Sequence, residues 1–145
     1  MTDAALRSLV IEREIAHPPA KIWRALTESA LVEEWLMKND LAPVAGRRFN
    51  FRAPPMPYWN GVLDCEVLAV EAPTRLSYSW NSSGAEAANG LKTVVTWTLT
   101  PTAKGTLLRL EHAGFRPDQE ANYQGARHGW AKNLEGLERV AAGLG

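Results

Sequence analysis

His112 closes an apolar run, TLLRLEHAGF (106–115), on the same alternation as Leu108 and Leu110. An imidazole on the apolar side of a strand can move protons inside a cavity near neutral pH. The competing reading is structural: a histidine satisfied by a backbone group or by a neighbouring tyrosine. Tyr123 is a second candidate acid or base. Cys65 lies on the apolar side of GVLDCEVLAVEA (61–72), but no histidine partner is implied nearby. Being alone, it can form no intrachain disulfide, and it reads as a small core residue. His17, His112 and His128 fall in a loop, a strand and the wet face of a helix. They have no metal-ligand spacing, so no metal and no cofactor is expected. There is no GxSxG, P-loop, dinucleotide-binding GxGxxG or HExxH. Catalysis therefore has no motif behind it.

A second feature is a set of glycines. NYQGARHGWAKNLEGLERV (122–140) has helical periodicity yet carries Gly125, Gly129 and Gly136. Each interior glycine costs roughly 1 kcal/mol relative to alanine. At about 100° per residue the three share one narrow stripe. Bare backbone there suits close packing against a neighbour, or space left for something that is not protein. A large side chain at Gly129 is expected to fill that space or to clash with the sheet.

The elements that position these residues follow from periodicity. LRSLVIEREI (6–15) alternates as a strand, and HPPAKIWRALTE (17–28) reads as a helix opened by proline. Ser29 is expected to cap a second short helix, ALVEEWLMK (30–38), with Leu31, Trp35 and Met37 inward. About five strands follow: 47–52, 61–72, 75–80, 92–101 and 106–115. Phe49, Phe51, Leu63, Cys65, Val67, Tyr78, Trp80, Val95, Trp97 and His112 face one side by alternation. APPMPYWNG (53–61) holds three prolines and cannot be a central strand. Its segment Met56–Trp59 reads as a lid over a cavity or as a tuck at the core edge. From Asp118 a long helix turns Tyr123, Ala126, Trp130, Leu134, Leu137 and Ala141 inward, with Gln124, His128, Glu135 and Arg139 wet. The order implies an α+β fold, a curved antiparallel sheet around a C-terminal helix.

Composition narrows the function. The 145 residues balance 16 basic against 16 acidic side chains, which argues against a nucleic-acid binder or a polybasic membrane reader. No leader pattern and no apolar run near the ~20 residues of a membrane span is read, so a cytoplasmic location is expected. Six tryptophans make the core large and aromatic. Arg47, Arg48 and Arg52 read as a solvated sheet face.

One ordered set of motifs carries a resemblance: ERxIxxPPxKIWRALT, LVEEWL, GxxxxEVLxVExPxRLSYSW, VTWTLTPxxxGTLLRLEHAGF and GWxxxLEGL. Over residues 8–142 the chain resembles the activator-of-heat-shock-protein-90-ATPase-like branch of the START/SRPBCC superfamily, similar in fold to the birch-pollen allergen. The resemblance implies one helix-grip domain over 1–145, with a hydrophobic cavity between the sheet and the long helix. It also implies diverse activities: lipid and polyketide binding, cyclisation, and chaperone ATPase stimulation. The chaperone activators carry a further N-terminal domain that is not read here, so a chaperone contact is expected less than a small ligand. A homodimer stays open. The expectation is a small hydrophobic or aromatic ligand in a cavity of roughly a few hundred Å³. Its expected lining is Phe49, Phe51, Cys65, Tyr78, Trp80, Trp97, His112, Phe115, Tyr123, Gly129 and Trp130, with His112 and Tyr123 as the polar groups. The alternatives are a cyclase or hydrolase using the same cavity with His112 or Tyr123 as acid/base, a chaperone-activating surface, and a filled scaffold.

Overall fold

The computed structural model describes residues 6–57, 59–84 and 90–144. Strand β1 (Arg7–Ile15) leads into helices α1 (Pro19–Thr27) and α2 (Ser29–Trp35). Strands β2 (Lys38–Asn39), β3 (Arg48–Arg52), β4 (Val62–Glu71), β5 (Arg75–Ser82), β6 (Lys92–Pro101) and β7 (Thr106–Phe115) follow. A 3-10 turn (Pro117–Gln119) then starts α3 (Glu120–Ala142). The seven strands form one antiparallel sheet in the order β1-β7-β6-β5-β4-β3-β2. β2 to β7 meander, and β1 closes on β7. The curved sheet grips α3, the α+β arrangement expected.

Three local expectations fail. The second helix stops at Trp35 rather than 38, because Lys38 and Asn39 pair with Arg52 and Phe51 as a short edge strand. Ser29 does not cap it; its hydroxyl donates instead to the Asn39 carbonyl at 2.9 Å, tying helix to edge strand. Val32 takes the buried place expected of Leu31, which stays half-buried.

Strand alternation otherwise sorts the faces as the sequence implies. One irregularity matters. Between the pairs Arg7–Phe115 and Ser8–Ala113 the register slips by one residue, leaving Gly114 as a bulge with φ +107°. A Cβ at Gly114 would sit 3.0 Å from the Lys92 carbonyl oxygen. The bulge restores the inward side after His112, so Phe115 is fully buried although simple alternation puts it outside.

The core is a chain of rings meeting edge to face. Trp97 lies at 5.8 Å and 89° to Trp35 and at 5.5 Å and 84° to Trp130. Phe49 meets Phe51 at 5.2 Å and Tyr78 at 5.5 Å. Such geometry puts the positive ring edge on the negative face, worth about 0.5–1.5 kcal/mol per pair beyond area burial. Polar atoms of these rings are matched internally: the Trp97 indole donates to the Tyr78 hydroxyl at 2.9 Å, and the Trp35 indole to the Ala25 carbonyl at 2.8 Å.

α3 uses its glycines in two ways. A Cβ built on Gly136 would lie 3.2 Å from the Trp35 Cβ, so the C-terminal half of α3 rests directly on α2. Cβ atoms on Gly125 or Gly129 would meet nothing within 4 Å among the described residues, so α3 faces open space at these two positions. Both uses of bare backbone occur, on one stripe. Gly125→Ala and Gly129→Ala should therefore each stabilise the fold by about 0.5–1 kcal/mol, the helix-propensity gain. Gly136→Ala should destabilise it, because Trp35 is held by its indole hydrogen bond and by Trp97 and cannot yield. Urea unfolding of the three variants checks this; a Gly136→Ala protein as stable as Gly129→Ala would contradict the close approach.

Candidate functional site

The open space beside Gly125 and Gly129 is an open-mouthed cavity of about 740 Å³. Its floor is Trp80, His112 and Trp130. One wall is α3, through Ala121, Asn122, Gly125, Ala126, Gly129 and Asn133. The other is built by Leu36 and Met37 beyond α2, Leu63 on β4, Ser82 at the end of β5 and Leu91 before β6. Met56 and Trp59 lean in from the β3–β4 loop. That loop is a tied structure: Met56 and Trp59 exchange backbone hydrogen bonds at 2.7 and 3.1 Å, and Ala53 N–H donates to the Gly61 carbonyl at 2.7 Å. Gly61 makes this closure possible, since it has φ +82° and a Cβ there would lie 2.1 Å from the Ala53 oxygen. Tyr58, part of the lid reading, lies outside the described residues.

The floor holds one continuous hydrogen-bond chain. The Trp130 indole N–H donates to His112 Nδ1 at 3.0 Å. An indole is only a donor, so Nδ1 must be the unprotonated nitrogen. The ring proton then sits on Nε2, 2.8 Å from Thr93 Oγ1, and the Thr93 hydroxyl donates to the Trp80 carbonyl at 2.6 Å. Each donor in the chain has its acceptor. Burial pushes the His112 pKa down to about 3. A proton added at Nδ1 would face the Trp130 N–H, which is the same direction of effect. His112 is thus a neutral structural hub with both nitrogens engaged, and neither is left for a substrate proton. The satisfied-histidine reading describes it, though the partners are a tryptophan and a threonine rather than a backbone group or a tyrosine.

Of the expected lining residues, the structure brings Trp80, His112, Gly129 and Trp130 to the cavity. Phe49, Phe51, Cys65, Tyr78, Trp97 and Phe115 do not line it; they are buried against one another and their neighbours. Burial drives the Cys65 thiol and the Tyr78 phenol well above their usual pKa values, so both stay protonated. Tyr123 points away from the cavity. Its hydroxyl donates to the Ser8 carbonyl at 3.4 Å, its ring packs on Phe115 at 5.5 Å, and the Arg7 guanidinium covers its face at 3.8 Å. Arg7 also pairs with Glu120. Tyr123 therefore fastens the start of α3 to β1, and the polar groups at the cavity beside His112 are Asn122, Asn133 and Ser82. The sequence signal for Thr93 is the alternation it shares with Val95 and Trp97. The wall residues Leu36, Leu91, Asn122 and Asn133 come from segments with no strand parity or on the helix flank, so only the packed fold gathers them.

Residues 16–142 match the family described as Activator of Hsp90 ATPase homolog 1-like protein. The chain belongs to this family. The crystal structure of protein MLL2253 from Mesorhizobium loti is similar at 56% identity, covering 92% of this chain and 96% of that one, with TM-score 0.85. The solution structure of BH1534 from Bacillus halodurans has 24% identity, coverage of 93% and 96%, and TM-score 0.77. CalU16 from Micromonospora echinospora has 26% identity, coverage of 95% and 78%, and TM-score 0.71. No curated protein matches the chain. The family and its solved structures bear out the helix-grip fold of this chain. Among the described residues no helix is long and apolar enough to cross a membrane.

The depressed His112 pKa has a sign that can be tested. Unfolded histidine titrates near 6.5, so between about 6.5 and 3 the unfolded chain binds a proton that the folded chain refuses. Stability is then lost as pH falls through that window, by roughly 1 kcal/mol per pH unit. Asp118, lowered by its hydrogen bond from Arg116, and Glu120, lowered by that from Gln124, add their own loss only in the carboxylate range. Urea unfolding from pH 7 to pH 5 should show the histidine slope, and His112→Asn should flatten it while lowering stability at pH 7. A slope unchanged by that substitution would contradict the neutral hub.

Proposed function

We propose that the protein binds a small hydrophobic or aromatic molecule in the cavity between the sheet and the N-terminal half of α3. The observation that carries the reading is the open space at Gly125 and Gly129. A helix of 23 residues gives up roughly 1 kcal/mol at each of these positions, yet among the described residues no protein atom uses the room. At about 740 Å³ the cavity falls in the usual size range of small-molecule sites. Its walls are aromatic, aliphatic and thioether groups with a few polar ones, the composition such sites have. A fold of this family is compatible with ligand binding. Catalysis gains no support, because His112 is fully engaged and Tyr123 faces elsewhere.

Trp59, Trp80 and Trp130 border the cavity, so occupancy is readable as tryptophan fluorescence. Titration with the uncharged probe N-phenyl-1-naphthylamine should quench it saturably at one site per chain. Gly129→Leu, whose side chain enters open space, should keep the fold and weaken binding at least about tenfold. A flat titration, or a Gly129→Leu protein that binds as well as the parent, would overturn the reading.

A further inference from the structure

Asn122 and Asn133 stand on the same α3 stripe as Gly125 and Gly129. At about 100° per residue, 122, 125, 129 and 133 fall within roughly 80° of helix circumference. The order along the cavity wall is amide, glycine, glycine, amide. Both border the cavity, Asn122 exposed at its edge and Asn133 half-buried, and among the described residues neither amide has a hydrogen-bond partner in the protein. Their Cα atoms are about 16 Å apart along the axis, from the rise per residue. On the floor between them His112, Thr93 and the Trp130 indole are spent on one another, which leaves the Trp80 indole N–H as the one floor donor without a hydrogen-bond partner among the described residues. None of the described lining side chains is an acid, a lysine or an arginine.

We infer that Asn122 and Asn133 are specificity-determining residues that hold the two ends of an elongated, uncharged ligand, one with a hydrogen-bonding oxygen or nitrogen at each end and an apolar body. This rests on the cavity being a ligand site and names the class it takes. The ligand body lies over the glycines, where no side chain intervenes, against Trp80 and Trp130. After the reach of two amide side chains, the span between its polar ends is on the order of 10 Å. Each amide has both a donor and an acceptor, so hydroxyl and carbonyl ends are equally served. A charged end is not: a carboxylate or ammonium would lose hydration with no counter-ion to replace it.

Biphenyl and its 4,4′-derivatives separate these claims by calorimetric titration. In a purely apolar cavity 4,4′-dihydroxybiphenyl would bind more weakly than biphenyl, because each hydroxyl would lose water without replacement. The bracket predicts the reverse, with the diol about tenfold tighter. Asn122→Ala and Asn133→Ala, both favourable for a helix, should each cost the diol about threefold to tenfold and leave biphenyl unchanged. Biphenyl-4,4′-dicarboxylate should bind more weakly than the diol. If biphenyl binds but the diol gains nothing, or the variants lose nothing, the bracket is overturned and the cavity reading stands. A dicarboxylate that binds as tightly as the diol overturns the preference for uncharged ends. If none of the three binds the parent protein, the cavity reading falls and takes the bracket with it.

Discussion

The hydrogen-bond chain from Trp130 through His112 and Thr93 to the Trp80 carbonyl is the interaction on which the site depends. It joins α3 to three adjacent strands, β7, β6 and β5, at one level of the sheet. Its members sit among apolar rings, where an unmatched polar group costs about 1–3 kcal/mol. The chain has a single sense, because an indole can only donate and a backbone carbonyl can only accept. Histidine suits the middle: its neutral form accepts on one nitrogen and donates on the other. That same role removes it from acid–base work, so structural order and catalytic availability exclude each other at this residue.

α3 is held at both ends of this hub by different means. Toward its C-terminus it lies close on α2, where Gly136 admits Trp35. Toward its N-terminus it is fastened at the edge by Tyr123 on the Ser8 carbonyl, by Arg7 on the Tyr123 ring and on Glu120, and by Gln119 on the Gly90 carbonyl. Between these anchors the helix spans the cavity, and at Gly125 and Gly129 it rests on none of the described residues.

The aromatic residues divide between two tasks. Phe49 meets Phe51 and Tyr78 edge to face, the Trp97 indole donates to the Tyr78 hydroxyl, and the four fill their part of the sheet's inner face. Perpendicular rings tile well, and the open space lies beside Gly125 and Gly129, where α3 offers no side chain. Trp80 and Trp130 belong to both groups, packing on Phe51 and Trp97 on one side and facing the cavity on the other.

Periodicity by itself determined most of the framework. Alternation in 92–101 and 106–115 put Val95, Trp97, Leu110 and His112 on one face, and the 3.6-residue period put Trp130, Leu134 and Leu137 on the inner side of α3, because side-chain direction is a local property of backbone geometry. The glycine stripe was equally legible, down to its two uses. Three things were not local. The Gly114 bulge, which turns Phe115 inward, depends on how β7 pairs with β1. The direction of Tyr123, on the flank of α3 beside Trp130, depends on Arg7 and Ser8, more than a hundred residues earlier in the chain. The partners of His112 come from α3 and β6. Parity says that a residue points inward, but only the packed fold decides whether it meets another ring, a hydrogen-bond partner or empty space. For that reason the inward aromatics could be named from sequence, while their division into core and cavity wall was settled by tertiary contacts.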